Sequence, residues 1–394
     1  MPPPLATDPY SEAVLADPYP FQAELRTAAA VVSLPQYGVY AAGRYDIVRE
    51  IMLRPDAFLS AGGVGLPDIR RGEDYRQPSK INEVDPPEHG GVRSAIMGIF
   101  SPRVMRQGGE MFGREAGKLA HRIVAQRRFD GVTDVAETFV FTVFPPLMGV
   151  DMPREKALTI AELRFNQSGP KNRLYEQALA KAAPFLEWYA ASSLRENVMA
   201  EGLAADIFKA EDAGALKPGI GANIVNTLVG GGTDTTIAGI GFTLHYLARN
   251  PDQWARVKAD PVLLRSAFDE ALRLDPPSQI VYRTVAPEGA EIDGLRLQGD
   301  RKIAMFLGAA NRDPQQWSDP DRFDVGRKVI GFQLGFGFGI HVCLGQLLAR
   351  MEAEAILAAL VERAKTLRPD GEPALRLMNQ VRAFRSLPLQ IEPS

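Results

Sequence analysis

Phe336-Gly337-Phe338-Gly339-Ile340-His341-Val342-Cys343-Leu344-Gly345 holds the one cysteine of the chain. Immediately after it, Leu344 to Ala364 reads as a helix. A thiolate at a helix N-terminus is stabilised by unpaired amides and by the helix dipole. The glycines let the backbone pass close to a flat ligand with no Cβ in the way. His341 can donate to an anionic group. Together these are the means of holding a metal-bearing ring by sulfur. The bland alternative is a small buried hydrophobe. A single cysteine excludes an intramolecular disulfide and a thiol zinc cluster.

Working outward, Pro218 to Asn250 contains no proline after its first residue, and Pro251 closes it. Those are helix limits. As one helix, these 33 residues would span roughly 50 Å and be central. The segment carries Gly219, Gly221, Gly230, Gly231, Gly232, Gly239 and Gly241, although an interior glycine costs about 1 kcal/mol against alanine. Three adjacent glycines before Thr233-Asp234-Thr235-Thr236 fit two readings: close helix packing, or a flat, bulky group against that face. A carboxylate and hydroxyls are poor mid-helix choices. Further on, Glu270 and Arg273 stand at i and i+3 and share a helix face. Alone, such a pair is an ordinary salt bridge.

The spacing of Phe336, Gly339, Cys343 and Gly345 resembles the cysteine-ligand loop of the cytochrome P450 family. Other segments match that family along nearly the whole chain. The resemblance implies a mainly α fold, a single P450 domain over residues 1–394. A helical bundle with small β-sheets would surround haem b (iron protoporphyrin IX), behind an extended lead-in at residues 1–20. Cys343 would be the axial iron ligand. His89 and Arg93, four apart on one helix, would grip one propionate, and Arg283 and His341 the other. Gly231 and Gly232 would leave room for dioxygen, Thr235 would orient it, and Asp234 would relay protons from solvent. Trp317-Ser318-Asp319-Pro320-Asp321-Arg322-Phe323 looks like the segment that completes a Glu270–Arg273–Arg322 network bracing the cysteine loop. No flavin or iron–sulfur motif is present, so electrons would come from a ferredoxin and its NAD(P)H-driven reductase. That partner would dock on the Cys343 side, near Arg350 and Arg103, by charge complementarity.

Composition agrees with such a protein. The chain has 394 residues, 45% hydrophobic and 24% charged, with a formal net charge of −3, which is ordinary globular usage. Nothing in it advertises a nucleic acid or an acidic membrane surface. The N-terminal residues lack the basic and apolar regions of a signal peptide. No uncharged apolar stretch reaches the roughly 18 residues of a membrane span. The expectation is a cytoplasmic protein.

For the substrate, Gly63-Val64-Gly65-Leu66, Phe306 to Pro314 and Phe384 to Pro388 resemble bacterial enzymes that oxidise para-substituted benzoates, including O-demethylation of methoxybenzoates. The pocket implied by position includes Leu66, Phe165, Ser168, Thr227, Ser278 and Val281. Gly62 stands where that group tends to carry arginine, and Ser168 and Ser278 replace bulkier apolar residues. A wider or more polar pocket follows, so a larger or neutral substrate, such as a terpenoid or secondary metabolite, is the alternative. A haem sensor without catalysis would not need the Asp234–Thr235 pair.

Overall fold

Helical periodicity dominates the chain, and the computed structural model, which describes residues 2–72, 77–328 and 330–394, is mainly helical with small sheets. The helices that position the site are α1 (Glu88–Ile99), α2 (Pro102–Gln126), α3 (Arg154–Gln167), α4 (Gly221–Gly232), α5 (Asp234–Arg249), α6 (Leu263–Leu274) and α7 (Gln346–Arg363). Ser101 caps α2 by accepting from the Val104 amide, and Pro102 occupies the first helical turn, as helix starts prefer. The α2 stripe of Phe112, Ala116, Leu119, Ala120 and Ile123 is buried in one core with Ile356, Leu357 and Leu360 of α7. Every residue from Thr236 to Leu244 of α5 is buried. A helix apolar on all sides belongs at the centre of a large core.

A five-stranded sheet lies to one side. Its strands are β1 (Val32–Leu34), β2 (Val39–Ala42), β3 (Phe58–Leu59), β4 (Ile280–Val285) and β5 (Lys302–Phe306), in the order β1-β2-β5-β4-β3. The β2–β5 pairing is parallel and the others are antiparallel. Strand β4 carries Arg283, opposite Ile303. A separate hairpin, β6 (Ala374–Arg376) with β7 (Ala383–Ser386), delivers Arg376 to α5.

Two expectations are corrected. Residues 1–20 are not simply extended: Glu12–Ala16 is a short helix capped by Ser11, and Tyr10 is anchored by a 2.5 Å hydroxyl contact with Tyr282. The long segment is also not one helix, because it breaks at Thr233 (φ −88°, ψ −71°) between α4 and α5. The Gly62–Pro78 loop contains a turn at Ile69–Arg71, and residues 73–76 lie outside the described residues. Among the described residues no helix is long and apolar enough to cross a membrane.

Candidate active site

The cysteine loop depends on two left-handed glycines, Gly337 (φ 72°) and Gly339 (φ 71°), a region that side chains resist. A Cβ at Gly339 would lie 2.5 Å from the Met52 carbonyl oxygen. The Cys343 amide donates to the Phe336 carbonyl at 2.7 Å, and Gly337 donates to Leu334 at 2.8 Å, which closes the loop. Cys343 then opens onto a cavity of about 370 Å³, shared with Phe336, Gly345, Gly231, Gly232 and Thr235. Burial pushes the thiol up, while the amides of Gly345 and Gln346 and the guanidiniums of Arg93 and Arg350 pull it down. These donors suit a thiolate, and a bound metal would supply the remaining stabilisation.

The loop is braced from α6. Glu270 and Arg273 are fully buried, with Nε–Oε2 at 2.8 Å and Nη2–Oε1 at 2.9 Å. The third charged member is Arg327, whose Nε donates to Glu270 Oε1 at 2.9 Å, and not Arg322. The Arg322 side chain is exposed; only its carbonyl joins, accepting from Arg273 at 3.2 Å and Arg327 at 2.9 Å. A left-handed Asp319 (φ 45°) turns the chain before Arg322, and the turn at Asp324–Arg327 returns the later arginine to the core. Arg273 Nη1 also donates to the Asn311 carbonyl at 2.8 Å, and the Asn311 side chain accepts from the Leu334 amide at 2.7 Å. The ion network is thereby bonded through to the cysteine loop.

One side of the site is basic. His89 and Arg93 come from α1, Arg283 from β4 and His341 from the cysteine loop, with the two imidazoles 4.2 Å apart. Among the described residues His89 Nε2 is buried with no partner, and the side chain of Arg283 bonds only its neighbour, the Tyr282 carbonyl, at 2.8 Å. Asp85, the nearby acid, is occupied by the amides of Ser60 and Ala61 at 2.7 and 3.0 Å. Burial lowers Arg283 to about 10 against the pull of Asp85. Burial, then Arg283, His89 and Arg93, lower His341 to about 3. His89 and Arg93 are also lowered, chiefly by burial. Buried donors without an anion are costly. Two carboxylates on a ring lying over Cys343 would satisfy them, so the residues present fit haem.

At the helix break three hydroxyls bond back to the preceding turn. Thr233, Thr235 and Thr236 donate to the carbonyls of Val229, Gly231 and Gly232 at 3.0, 2.6 and 2.8 Å, a back-bonding that bends helices. A Cβ on Gly231 would meet nothing within 4 Å, whereas one on Gly232 would lie 2.6 Å from the Phe144 ring. Gly231 therefore leaves space and Gly232 permits packing. Thr235 faces the cavity. Asp234 is buried and bound to Arg376 through Oδ1 at 2.5 Å, while its Oδ2 has no partner among the described residues.

Phe165, Ser168, Thr227, Ser278 and Val281 all line the cavity. Leu66 does not. Its amide holds the Ser168 carbonyl at 2.8 Å, and its side chain packs on the cluster around Tyr10 and Phe21; Val64 lines the wall instead. Sequence reasoning missed Arg164, Ser79, Phe144 and Glu352, which also line it. Ser79 and Thr227 hydroxyls are 3.0 Å apart. Glu352 is buried with neither oxygen partnered among the described residues, and burial pushes its carboxyl well up. A glutamate in the apolar register of α7 was the available signal for it. Arg376 had none, being 142 residues from Asp234.

Comparison with known proteins agrees with this geometry. The family profile described as Cytochrome P450 matches residues 203–392. The chain is 39% identical to "Cytochrome p450 CYP199A2" of Rhodopseudomonas palustris, over all of this chain and 95% of that one. The solved structure of CYP109Q5 from Chondromyces apiculatus matches with a TM-score of 0.80 and 27% identity, covering 99% of both chains. Myxobacterial CYP267B1, solved with myristic acid, matches with a TM-score of 0.82 and 27% identity, covering 98% of both.

Proposed function

Because this chain belongs to the cytochrome P450 family and is a haem-thiolate monooxygenase, we propose that it oxidises a small aromatic substrate, hydroxylating or O-demethylating a para-substituted benzoate or related aryl compound. The observation that carries this reading is the cavity wall. Phe144, Phe165 and Val281 offer ring-sized apolar contact, while Ser79, Ser168, Thr227 and Ser278 offer a few hydroxyls. Apolar walls with sparse polar anchors are what orient a small ligand.

In this reading Cys343 would hold the haem iron through its sulfur, and His89, Arg93, Arg283 and His341 would hold the propionates. The haem supplies the chemistry of dioxygen activation. Thr235 presents a hydroxyl to the cavity, and its bond to the Gly231 carbonyl fixes where its oxygen sits. Asp234 delivers protons to it after leaving Arg376. Thr235→Ala is expected to uncouple turnover: reductant is still consumed, but most of it ends as hydrogen peroxide. Product and peroxide measured per reductant check this, and a fully coupled variant removes Thr235 from proton delivery.

Electrons are assigned to a ferredoxin with its NAD(P)H-driven reductase. Of the two arginines expected at its docking face, Arg350 is withdrawn. It bonds Asp269 at 3.0 and 3.1 Å and lies 4.4 Å over the Phe336 ring. Arg103 on α2 is exposed and remains available. Arg103→Glu is expected to slow reduction several-fold at low salt, with the difference shrinking as salt screens it. Stopped-flow reduction at two ionic strengths reads this out; an unchanged rate places docking elsewhere.

The test of the substrate is a spectral titration of the ferric protein with para-substituted aromatic acids, phenols and neutral aryl ethers. A shift toward high spin with 4-methoxybenzoate, followed by formaldehyde in turnover, supports the aryl-acid reading. A response confined to neutral or larger ligands removes it.

A further inference from the structure

Resting on the reading that the cavity takes a small aromatic substrate, we infer that Arg164 selects for a carboxylate on it. Arg164 lies on α3 beside Phe165 and lines the cavity. Its guanidinium is lodged in a notch that exists only because residue 230 is glycine: a Cβ there would fall 1.4 Å from Arg164 Nη1. The first of the three adjacent glycines thus serves this side chain. The guanidinium is braced rather than neutralised. Nη1 reaches the Asn226 carbonyl at 3.3 Å, and Cζ lies 5.9 Å from the Tyr189 ring centre. The Tyr189 hydroxyl is itself held by the Asn226 side chain at 2.7 Å. The nearest acid on its own helix, Glu162, is bound to Lys181 at 2.8 Å. Among the described residues Arg164 has no carboxylate partner.

A cation held against a cavity wall, with donors unused, is an anion site whose anion is the ligand. Its position suits an aromatic acid. Gly230 and Thr235 lie on either side of the helix break, and both line the same cavity as Arg164. A ring in that cavity would place its carboxylate at Arg164 and its para substituent toward Thr235. Ser79 and Thr227 stand close by as neutral donors.

The experiment compares ligand pairs of equal shape and different charge on the ferric holoenzyme: 4-methoxybenzoate with 4-methoxyacetophenone, and decanoate with 2-undecanone. Dissociation constants come from spectral titration. Wild type is expected to favour the acid of each pair that binds. Arg164→Gln is expected to weaken the acid about 30-fold, the scale of a hydrogen bond to a charged group, and to leave the ketone nearly unchanged. Arg164→Lys should restore part of the preference. Gly230→Ala should abolish it with the arginine still present. Equal losses for acid and ketone, or a wild type that holds neither acid more tightly than its ketone, overturn the assignment. If only the aliphatic pair binds and shows the preference, the aromatic reading falls while Arg164 stands.

Discussion

Cys343→Ala is expected to abolish monooxygenase turnover, lowering product by more than about 100-fold, since even loss of a supporting bond behind a metal ligand costs up to that much. The fold should survive. The loop is closed by the Cys343 amide, which alanine retains, and the side chain faces the cavity rather than the packed core. What is lost is the sulfur toward which the amides of Gly345 and Gln346 and the charge of Arg93 and Arg350 are aimed. Thiolate donation is the feature that favours O–O cleavage in this class of haem protein. The measurements are the absorption spectrum of the reduced, carbon monoxide-treated protein and product yield. A variant that keeps the thiolate signature and its turnover places the axial ligand elsewhere.

Glu270→Ala is expected to cost about 3–5 kcal/mol of stability, the range for removing one member of a buried ion network. Arg273 is fully buried and Arg327 nearly so, and both would keep their charge with no carboxylate to meet it. Because Arg273 also bonds the Asn311 carbonyl, and Asn311 holds Leu334, the damage should reach the cysteine loop and loosen haem as well. The informative contrast lies between the two arginines. Arg327→Ala should destabilise strongly. Arg322→Ala should stay within about 0.5 kcal/mol, as exposed side chains do, because only its backbone takes part. Urea midpoints at constant m value check the series. If Arg322→Ala costs as much as Arg327→Ala, the network is not the one described.

The features legible in the sequence are the local ones. The cysteine loop could be read because its glycines, its cysteine and the start of α7 lie within a dozen residues. The Glu270–Arg273 pair could be read because i and i+3 share a helix face. His89 and Arg93 were legible for the same reason. The limits of α7 were legible to within two residues, Leu344 to Ala364 against Gln346–Arg363. All of these depend on backbone geometry that a few neighbouring residues impose.

The misreadings share a different origin. The family resemblance points to Arg322 as the partner of Glu270, and only the turn at Asp324–Arg327 decides that the Arg327 side chain is the one that returns. Leu66 and Val64 differ by two positions on an irregular loop, where no periodicity says which one faces the cavity. The run from 218 to 250 looks like one helix because no proline interrupts it. It breaks at Thr233, where three threonine hydroxyls compete for carbonyls. Arg376 at Asp234 and Arg164 in the Gly230 notch are meetings of residues 142 and 66 positions apart. The sequence by itself determined the cysteine loop, the helix-face pairs and the family to which they belong, because those rest on short-range geometry. The tertiary structure alone decided which cations meet which anions. Such contacts depend on how distant elements pack, and no local pattern encodes that.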